Sequence, residues 1–294
     1  MKINRSNPYE SKGRFWLRGN LHTHTDKSAC GRIPAGRVVE LFAKNGFDFL
    51  ALSDHYVIFD QNVEPKGMII LPGIEVDNNR GHGHHKCIIN TSSEKLVYKK
   101  SLHHQALIDR NAKNGAIITL NHPDWQHREH YTIDELRQYR NYTGIEIYNS
   151  VIERLDGSPL STAKWDRLLA SGHYCFGFAS QDFHDYRDLS EASIMVSVKR
   201  KTAKDILESI KAGNFYSFLG VHITKIARAN NTIAIKTKNA NLIRFIGFGG
   251  TTLKKIYGKS GRITFDRKDP KHQYIRVECV GDEGNISWSQ PFVR

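Results

Sequence analysis

One repeated punctuation constrains the fold of this chain more than any other feature. Asn45-Gly46, Asn114-Gly115, Ser171-Gly172 and Ala212-Gly213 each close a stretch of helical periodicity and open an apolar, strand-like run. Glycine reaches the left-handed conformation that ends a helix without a Cβ penalty. Helical patterns cover 35–45, where Val38, Val39, Leu41 and Phe42 form a stripe, and also 102–114, 133–139, 163–170 and 202–212. Strand-like runs cover 47–52, 116–120, 144–148 and 175–179. Helix, glycine, strand, several times over, predicts an α/β fold with parallel strands through residue 219. After that the style changes. Short, often alternating runs at 233–235, 243–248, 263–265 and 274–280 are separated by Gly249-Gly250, Gly258, Gly261 and Asp282-Glu-Gly284. These predict a small antiparallel β domain, a partial sandwich, over 220–294, packed against a larger domain over 1–219.

The ends of the strand-like runs carry metal-type ligands. Ser53-Asp54-His55 follows 47–52, Gly73-Ile74-Glu75 closes an apolar run, and Asn121-His122-Pro123 follows 116–120. Asp182-Phe183-His184 follows 175–179, and His22-Thr23-His24 and Gly83-His84 complete the set. In parallel α/β barrels the functional groups come from the carboxyl ends of strands. Side chains at i and i+2 of extended chain face one side, so His22 and His24 can reach one ion, as can Asp182 and His184. Strand ends also hold polar turn residues for structural reasons, and a single such pair means little. The recurrence is the signal. His84 is taken over His82 and His85 because it stands beside the run 87–89; His103, His104, His127, His130, His173, His222 and His272 are read as surface or core residues. The candidate ligands are therefore His22, His24, His55, Glu75, His84, His122, Asp182 and His184. Six imidazoles and two carboxylates suffice for two or three divalent ions, each needing three or four protein ligands and an open position. Two carboxylates leave such a centre positive, which suits hydroxide and an anionic substrate. Lys27 and Arg32 either add to that charge or are solvated.

Length and composition bound the rest. The chain has 294 residues, 39% hydrophobic and 25% charged, enough for one large or two unequal domains. No apolar stretch approaches the roughly 20 residues that span a bilayer, and residues 1–12 are polar, so a cytoplasmic protein without membrane attachment is expected. Cys30, Cys87, Cys175 and Cys279 are scattered, which argues against a disulfide framework. Net charge is +13, and the tail from Gly220 holds 14 Lys and Arg against 5 Asp and Glu. Such a surface attracts polyanions or is simply solvated.

The clusters, in this order, resemble the PHP superfamily of metal-dependent phosphoesterases. Leu21-His-Thr-His-Thr25 with Ser28 is similar to its first motif, Ser53-Asp-His55 to the second, and Gly73-Ile-Glu75 with Gly83-His84 to the third. Asn121-His122-Pro123 is similar to an intervening histidine motif and Asp182-x-His184 to the last. The likeness covers roughly residues 14–219. It implies a distorted (βα)7 barrel with two or three divalent ions (Mn, Fe or Zn) at its carboxyl face. The implied activity is hydrolysis of phosphomonoesters or phosphodiesters, nucleotide-derived ones included, by a metal-bridging hydroxide. Glu75, His55 and His184 are the implied catalytic ligands, with Glu75 bridging two ions. His22, His24 and Asp182 are implied around one ion, His55 at the second, and His84, His122 and His184 at the third. Asp54 is read as orienting a ligating histidine, with Tyr148 and Asn149 lining the pocket. Tyr274-Ile-Arg-Val-Glu278 and Ile286-Ser-Trp-Ser-Gln-Pro291 resemble the ending of the CehA/McbA-type branch, whose members also cleave carbamate esters. One departure stands out. Many PHP proteins carry a ligating Asp after the His-x-His, where this chain has Ala29-Cys30. Cys30 is either a thiolate ligand favouring Zn(II) or Fe(II), or a packed thiol.

Two rival readings accompany this one. The same centre can serve a carboxylic or carbamate ester hydrolase, the substrate being chosen by loops 124–131 and 151–159. A nucleic-acid-binding module would use the basic tail, with Phe245, Phe248, Tyr257, Phe265 and Tyr274 for stacking. Apolar strand positions account for the same aromatics, so nucleic acid is not the favoured partner. A small anionic substrate is expected instead. Oligomeric state is not written in the sequence.

Overall fold

The computed structural model describes residues 9, 14–60, 66–77, 83–126, 130–266 and 268–294. His82 and His127 lie outside them. The first part of the chain runs β1 (Phe15–Asn20), α1 (Ala35–Lys44), β2 (Phe49–Leu52), β3 (Ile69–Val76), β4 (Lys86–Ile89), α2 (His104–Lys113) and β5 (Ile117–Leu120). It continues with α3 (Ile133–Gln138), β6 (Gly144–Asn149), α4 (Thr162–Ala170), β7 (Phe176–Ser180), β8 (Ser193–Val198), α5 (Ala203–Lys211) and β9 (Phe215–Leu219). The tail is β10 (Ile223–Ala229), β11 (Thr232–Thr237), β12 (Leu242–Ile246), β13 (Thr252–Tyr257), β14 (Ser260–Thr264), β15 (Tyr274–Val280), β16 (Ile286–Ser289) and β17 (Phe292–Val293).

The five helices and the glycines after them follow the sequence reading. Gly46, Gly115, Gly172 and Gly213 all have positive φ, between 75° and 83°. Helix α1 buries Ala35, Val38, Val39 and Phe42 on one face. Each large apolar side chain fully removed from water contributes about 1.5–3 kcal/mol. Helix α3 is short and depends on its cap: Thr132 accepts from the Glu135 amide while Glu135 reaches back to the Thr132 amide.

Strand pairing is mixed rather than all parallel. β1–β2–β3 and β5–β6–β7 are parallel, whereas β4 runs antiparallel between β3 and β5, and β8 and β9 run antiparallel beside β1. The reason is chain length. β3 and β4 are joined by a connection too short to carry a crossover helix, so β4 must turn back. β7 lies against β8 and β9. There the Gln290 side chain accepts from the Gly177 amide and donates to the Gly177 carbonyl, and Ser217 Oγ donates to that same carbonyl at 2.8 Å.

The tail continues the large sheet. β16 pairs with β9 on one side and β15 on the other, followed by β12 and β13. β10, β11 and β14 form a second, three-stranded sheet. Apolar side chains of both sheets, including Ile226, Ile235, Phe245 and Val277, enclose a core that also takes in Tyr216 and Phe218 of β9. A buried ion pair fastens the tail to α4. Arg276 grips Asp166 through two bonds of 2.7 Å, and the Tyr274 hydroxyl donates to the same carboxylate at 2.8 Å. No helix among the described residues is long and apolar enough to cross a membrane.

Candidate metal centre

The backbone register brings the clusters together. Beyond β1, Thr23 bridges Phe183 in parallel, with the His24 amide donating to the Phe183 carbonyl at 2.8 Å, so the pair at 22 and 24 meets the pair at 182 and 184. Beyond β2, His55 bridges Glu75, with the Tyr56 amide on the Glu75 carbonyl at 2.9 Å. Asp182 (φ 53°) and His122 (φ 33°) adopt left-handed backbone. For residues with a Cβ this costs on the order of 1–3 kcal/mol and is typical of functional sites.

Glu75 sits at the middle. One of its oxygens lies 3.2 Å from His22 Nε2, 3.3 Å from His85 Nδ1 and 3.7 Å from His122 Nε2. The other lies 3.2 Å from His24 Nε2 and 3.3 Å from His55 Nε2. Asp182 Oδ1 is 3.0 Å from His22 Nε2, 3.2 Å from His24 Nε2 and 3.6 Å from His184 Nδ1. Both carboxylates are buried. Three sets of ligand atoms stand close enough to share an ion: His22, His24 and Asp182; His55, Glu75 and His85; and His24, Cys30, His55 and His184. A fourth, His22, Glu75 and Cys87, overlaps them.

Hydrogen bonds leave ligand nitrogens free. His22 Nδ1 pairs with Glu146 Oε1 at 2.9 Å, His24 Nδ1 with Ser28 Oγ at 3.1 Å, and His184 Nδ1 with the Asp182 carbonyl at 2.7 Å. With Nδ1–H donating in each ring, Nε2 presents its lone pair to the cluster. Ser28 Oγ in turn donates to Asp54 Oδ1 at 2.6 Å, and Asp54 also accepts from the Thr25 amide and hydroxyl, each at 2.7 Å. Asp54 thus orients His24 through Ser28.

Electrostatic pairing within the cluster outweighs burial at its centre. Burial opposes charge on His22, but Asp182 and the other acids outweigh it and hold that ring well above the ordinary imidazole value. Burial is likewise outweighed at His24, which Asp182 and Glu75 raise to about 9. Burial would raise Glu75 and Asp182, yet the imidazoles, His22 foremost, keep both well below the carboxylate range. Burial pushes His55 down to about 4. Asp182 Oδ1 and the Nδ1 atoms of His55 and His122 are buried without hydrogen-bond partners. The Nε2 atoms of His22, His24, His55 and His122 converge on the Glu75 and Asp182 oxygens, and imidazole nitrogens with carboxylate oxygens are the donor set a divalent ion needs, so these residues fit the group.

Of the eight expected ligands, the structure brings together His22, His24, His55, Glu75, His122, Asp182 and His184. His84 stands apart from these seven. Its ring stacks on Tyr131, with centroids 4.2 Å apart, Nδ1 is 2.9 Å from the Tyr139 hydroxyl, and Nε2 is 3.4 Å from Glu135. Its neighbour His85 faces Glu75 instead. Strand alternation explains the exchange: Cys87 points to the cluster, so His85 shares its face while His84 goes with Lys86. Of the expected grouping of His84, His122 and His184, His184 stands with His24, Cys30 and His55, and His122 stands beside Glu75 and Asp182. Lys27 and Arg32 are exposed. Asn149 donates to Glu146 at 2.8 Å and to Asp182 at 3.2 Å, whereas Tyr148 turns away to Glu153 and Trp288.

Sequence reasoning missed Glu146. This buried carboxylate accepts from the His122 amide, Asn149 Nδ2 and Ser180 Oγ as well as His22. The available signal was an acid in the middle of the apolar strand Gly144-Ile-Glu-Ile. It also missed His85, and it set aside His130, which accepts from the His85 amide at 3.2 Å.

No family model matches the chain, and no curated protein does. Among solved structures it is similar to a two-domain protein from Bacteroides vulgatus containing a predicted PHP-like metal-dependent phosphoesterase. The identity is 17%, coverage is 99% of both chains, and the TM-score is 0.57. A lesion-specific endonuclease from Pyrococcus furiosus aligns at 14% identity over 67% of this chain and 56% of its own, with a TM-score of 0.45. An amidohydrolase from Chromobacterium violaceum aligns at 14% over 58% of this chain and 89% of its own, with a TM-score of 0.42. What this chain shares with the Bacteroides vulgatus protein is its fold, matched end to end.

Proposed function

We propose that the chain is a metal-dependent hydrolase of phosphate esters, built on a distorted (βα)7 barrel of the PHP type. The observation that carries this reading is Glu75, a buried carboxylate with five imidazoles within 3.7 Å and Asp182 beside two of them. His22, His24, Asp182, His55, His85, His184 and His122 would hold two or three divalent ions, with Glu75 shared between them. Bound ions supply the Lewis acidity that generates a nucleophile from water at neutral pH and balances charge on the ester.

The chain's own residues prepare that chemistry. Glu146, Ser28 with Asp54, and the Asp182 carbonyl fix three ring orientations before any ion arrives. Among the described residues the carboxylates that meet the imidazole Nε2 atoms of the cluster are Glu75 and Asp182, so a centre loaded with two or three divalent ions stays positive and favours an anionic ester over a neutral one. Tyr56, Val57, Leu155, Leu160 and Tyr186, all exposed, stand in the loops that follow strands β2, β6 and β7. They suit a substrate with an apolar or aromatic group on its ester oxygen.

The test pairs aryl phosphates and phosphodiesters with aryl carboxylic and carbamate esters, assayed with Mn(II) on wild type and His24→Ala. Turnover of phosphate esters by wild type alone supports the proposal. Equal rates in the two proteins, or turnover confined to the carbon esters, would overturn it.

A further inference from the structure

We infer that Cys30 is a metal ligand, forming with His24, His55 and His184 a sulfur-containing position for a thiophilic ion. This rests on the metal-centre reading and adds to it the identity of one site. The four ligand atoms lie within 4.8 Å of one another. A tetrahedral Zn(II) site, with Zn–S near 2.3 Å and Zn–N near 2.0–2.1 Å, brings such atoms to about 3.5 Å apart. A modest contraction is all that is required.

The thiol is held at this place by backbone, not by chance exposure. The Ser28 amide donates to the Thr25 carbonyl and the Gly31 amide to the Ser28 carbonyl, each at 3.1 Å. The Asp26 amide closes the loop on the Ile33 carbonyl at 3.0 Å. Gly31 is obligatory, because a Cβ there would sit 2.0 Å from the Thr25 carbonyl oxygen. The Arg32 amide then donates to the His184 carbonyl at 3.2 Å, tying the loop to one of the proposed co-ligands. Ala29 has no donor atom, and Cys30 is the residue of this loop whose ligand atom lies with those of His24, His55 and His184.

The imidazoles are prepared for the same ion. Ser28 and the Asp182 carbonyl occupy Nδ1 of His24 and His184, leaving Nε2 of each. Asp182 Oδ1, on a buried side chain beside both rings, has no hydrogen-bond partner. His24 and His55 also belong to neighbouring sets, and each ring nitrogen has one lone pair to give; Cys30 and His184 occur in this set alone and supply its sulfur and a nitrogen. That composition selects Zn(II), Fe(II) or Co(II) over Mg(II) and Mn(II). On binding, the thiol proton passes to solvent as the sulfur–metal bond forms.

Co(II) is the probe. Wild type loaded with Co(II) is expected to show a near-ultraviolet thiolate-to-cobalt charge-transfer band, absent from Cys30→Ser and retained in Cys87→Ala, with circular dichroism confirming that all three are folded. Metal analysis of Cys30→Ser should show one ion fewer. The unaltered protein gives a second readout. Cys30 is the exposed one of four free cysteines, and Zn(II) should slow its alkylation by iodoacetamide about tenfold or more, since a metal-held thiolate is a blocked nucleophile. A band that persists in Cys30→Ser, a band lost in Cys87→Ala instead, or unchanged alkylation would overturn the assignment. Cobalt bound by wild type without a charge-transfer band would sink Cys30 ligation and leave the histidine–carboxylate centre standing. A wild type that binds no cobalt would sink both.

Discussion

A single step along the chain separates a ligand candidate from a bystander at positions 84 and 85. The segment Gly81-His-Gly-His-His85 does not state its own parity, because side-chain direction is set by where the strand begins and by which face Cys87 takes. Only the register of β4 against β3, with Glu75 opposite Cys87, supplies that. The consequence is measurable. His85→Ala should weaken binding at one metal position by well over tenfold, whereas His84→Ala should leave metal content and affinity unchanged, as read by chelator competition. The opposite ranking would mean that β4 shifts by one residue in solution. Glu146 makes a second case. Gln at this site keeps the shape but cannot accept from all four of its donors. Glu146→Gln should cost about 10–100-fold in metal affinity, the usual effect of losing the partner that orients a ligating histidine. An unchanged affinity would show that His22 needs no such support. The ligands that were legible in the sequence stood at the ends of strands. Glu146 stands inside β6 rather than at its end, so a reading keyed to strand ends passed over it although an acid amid apolar neighbours was visible.

Elements were more legible than their pairing. Helical stripes and the glycines that end them are local facts, fixed by sterics within a few residues; all five helices fall on such stripes and four of them end at a glycine. Whether a strand runs parallel or antiparallel depends on what its connection can span, and that information is spread over the chain. β4 and β8 therefore escaped a reading based on repeated helix–glycine–strand units. The tail illustrates the same limit. Its turns are plain in the sequence, but the insertion of β16 between β15 and β9 is not. The Arg276–Asp166 pair, which fixes β15 against α4, joins residues 110 apart in the chain, a contact that no local pattern announces. Both side chains are buried, so Arg276→Met leaves Asp166 with the Tyr274 hydroxyl alone. Breaking one side of such a pair destabilises by about 3–5 kcal/mol, and urea unfolding should show a loss of that order. Adding Asp166→Asn should recover part of it. A near-neutral single substitution would mean that the apolar contacts of Trp288 and Tyr148 hold the tail without the ion pair.

At the scale of the whole molecule, charge is segregated from chemistry. From Ser209 to Phe265 the sequence contains no Asp or Glu, while Lys225, Lys236 and Arg262 stand together on the three-stranded sheet around an open cleft of about 480 Å³. The carboxylates that bear on the proposed reaction lie in the other part of the chain. A cationic face of this kind attracts nucleic acid through counterion release, which fades steeply as salt rises. Tight binding to single strands needs stacking as well, worth about 1–3 kcal/mol per base. Here Phe245, Phe265 and Tyr274 are buried in the tail's own packing, and of the aromatics in this region only Phe248 and Tyr257 reach the surface. The two effects together set the outcome. A labelled single-stranded oligonucleotide should bind detectably at low salt and be released near 0.15 M, where charges are screened within about 8 Å. Lys236→Glu should abolish even the low-salt signal without touching ester hydrolysis. A complex that survives physiological salt would make the tail a recognition module, and the substrate of the metal centre would then have to be sought among nucleic acids.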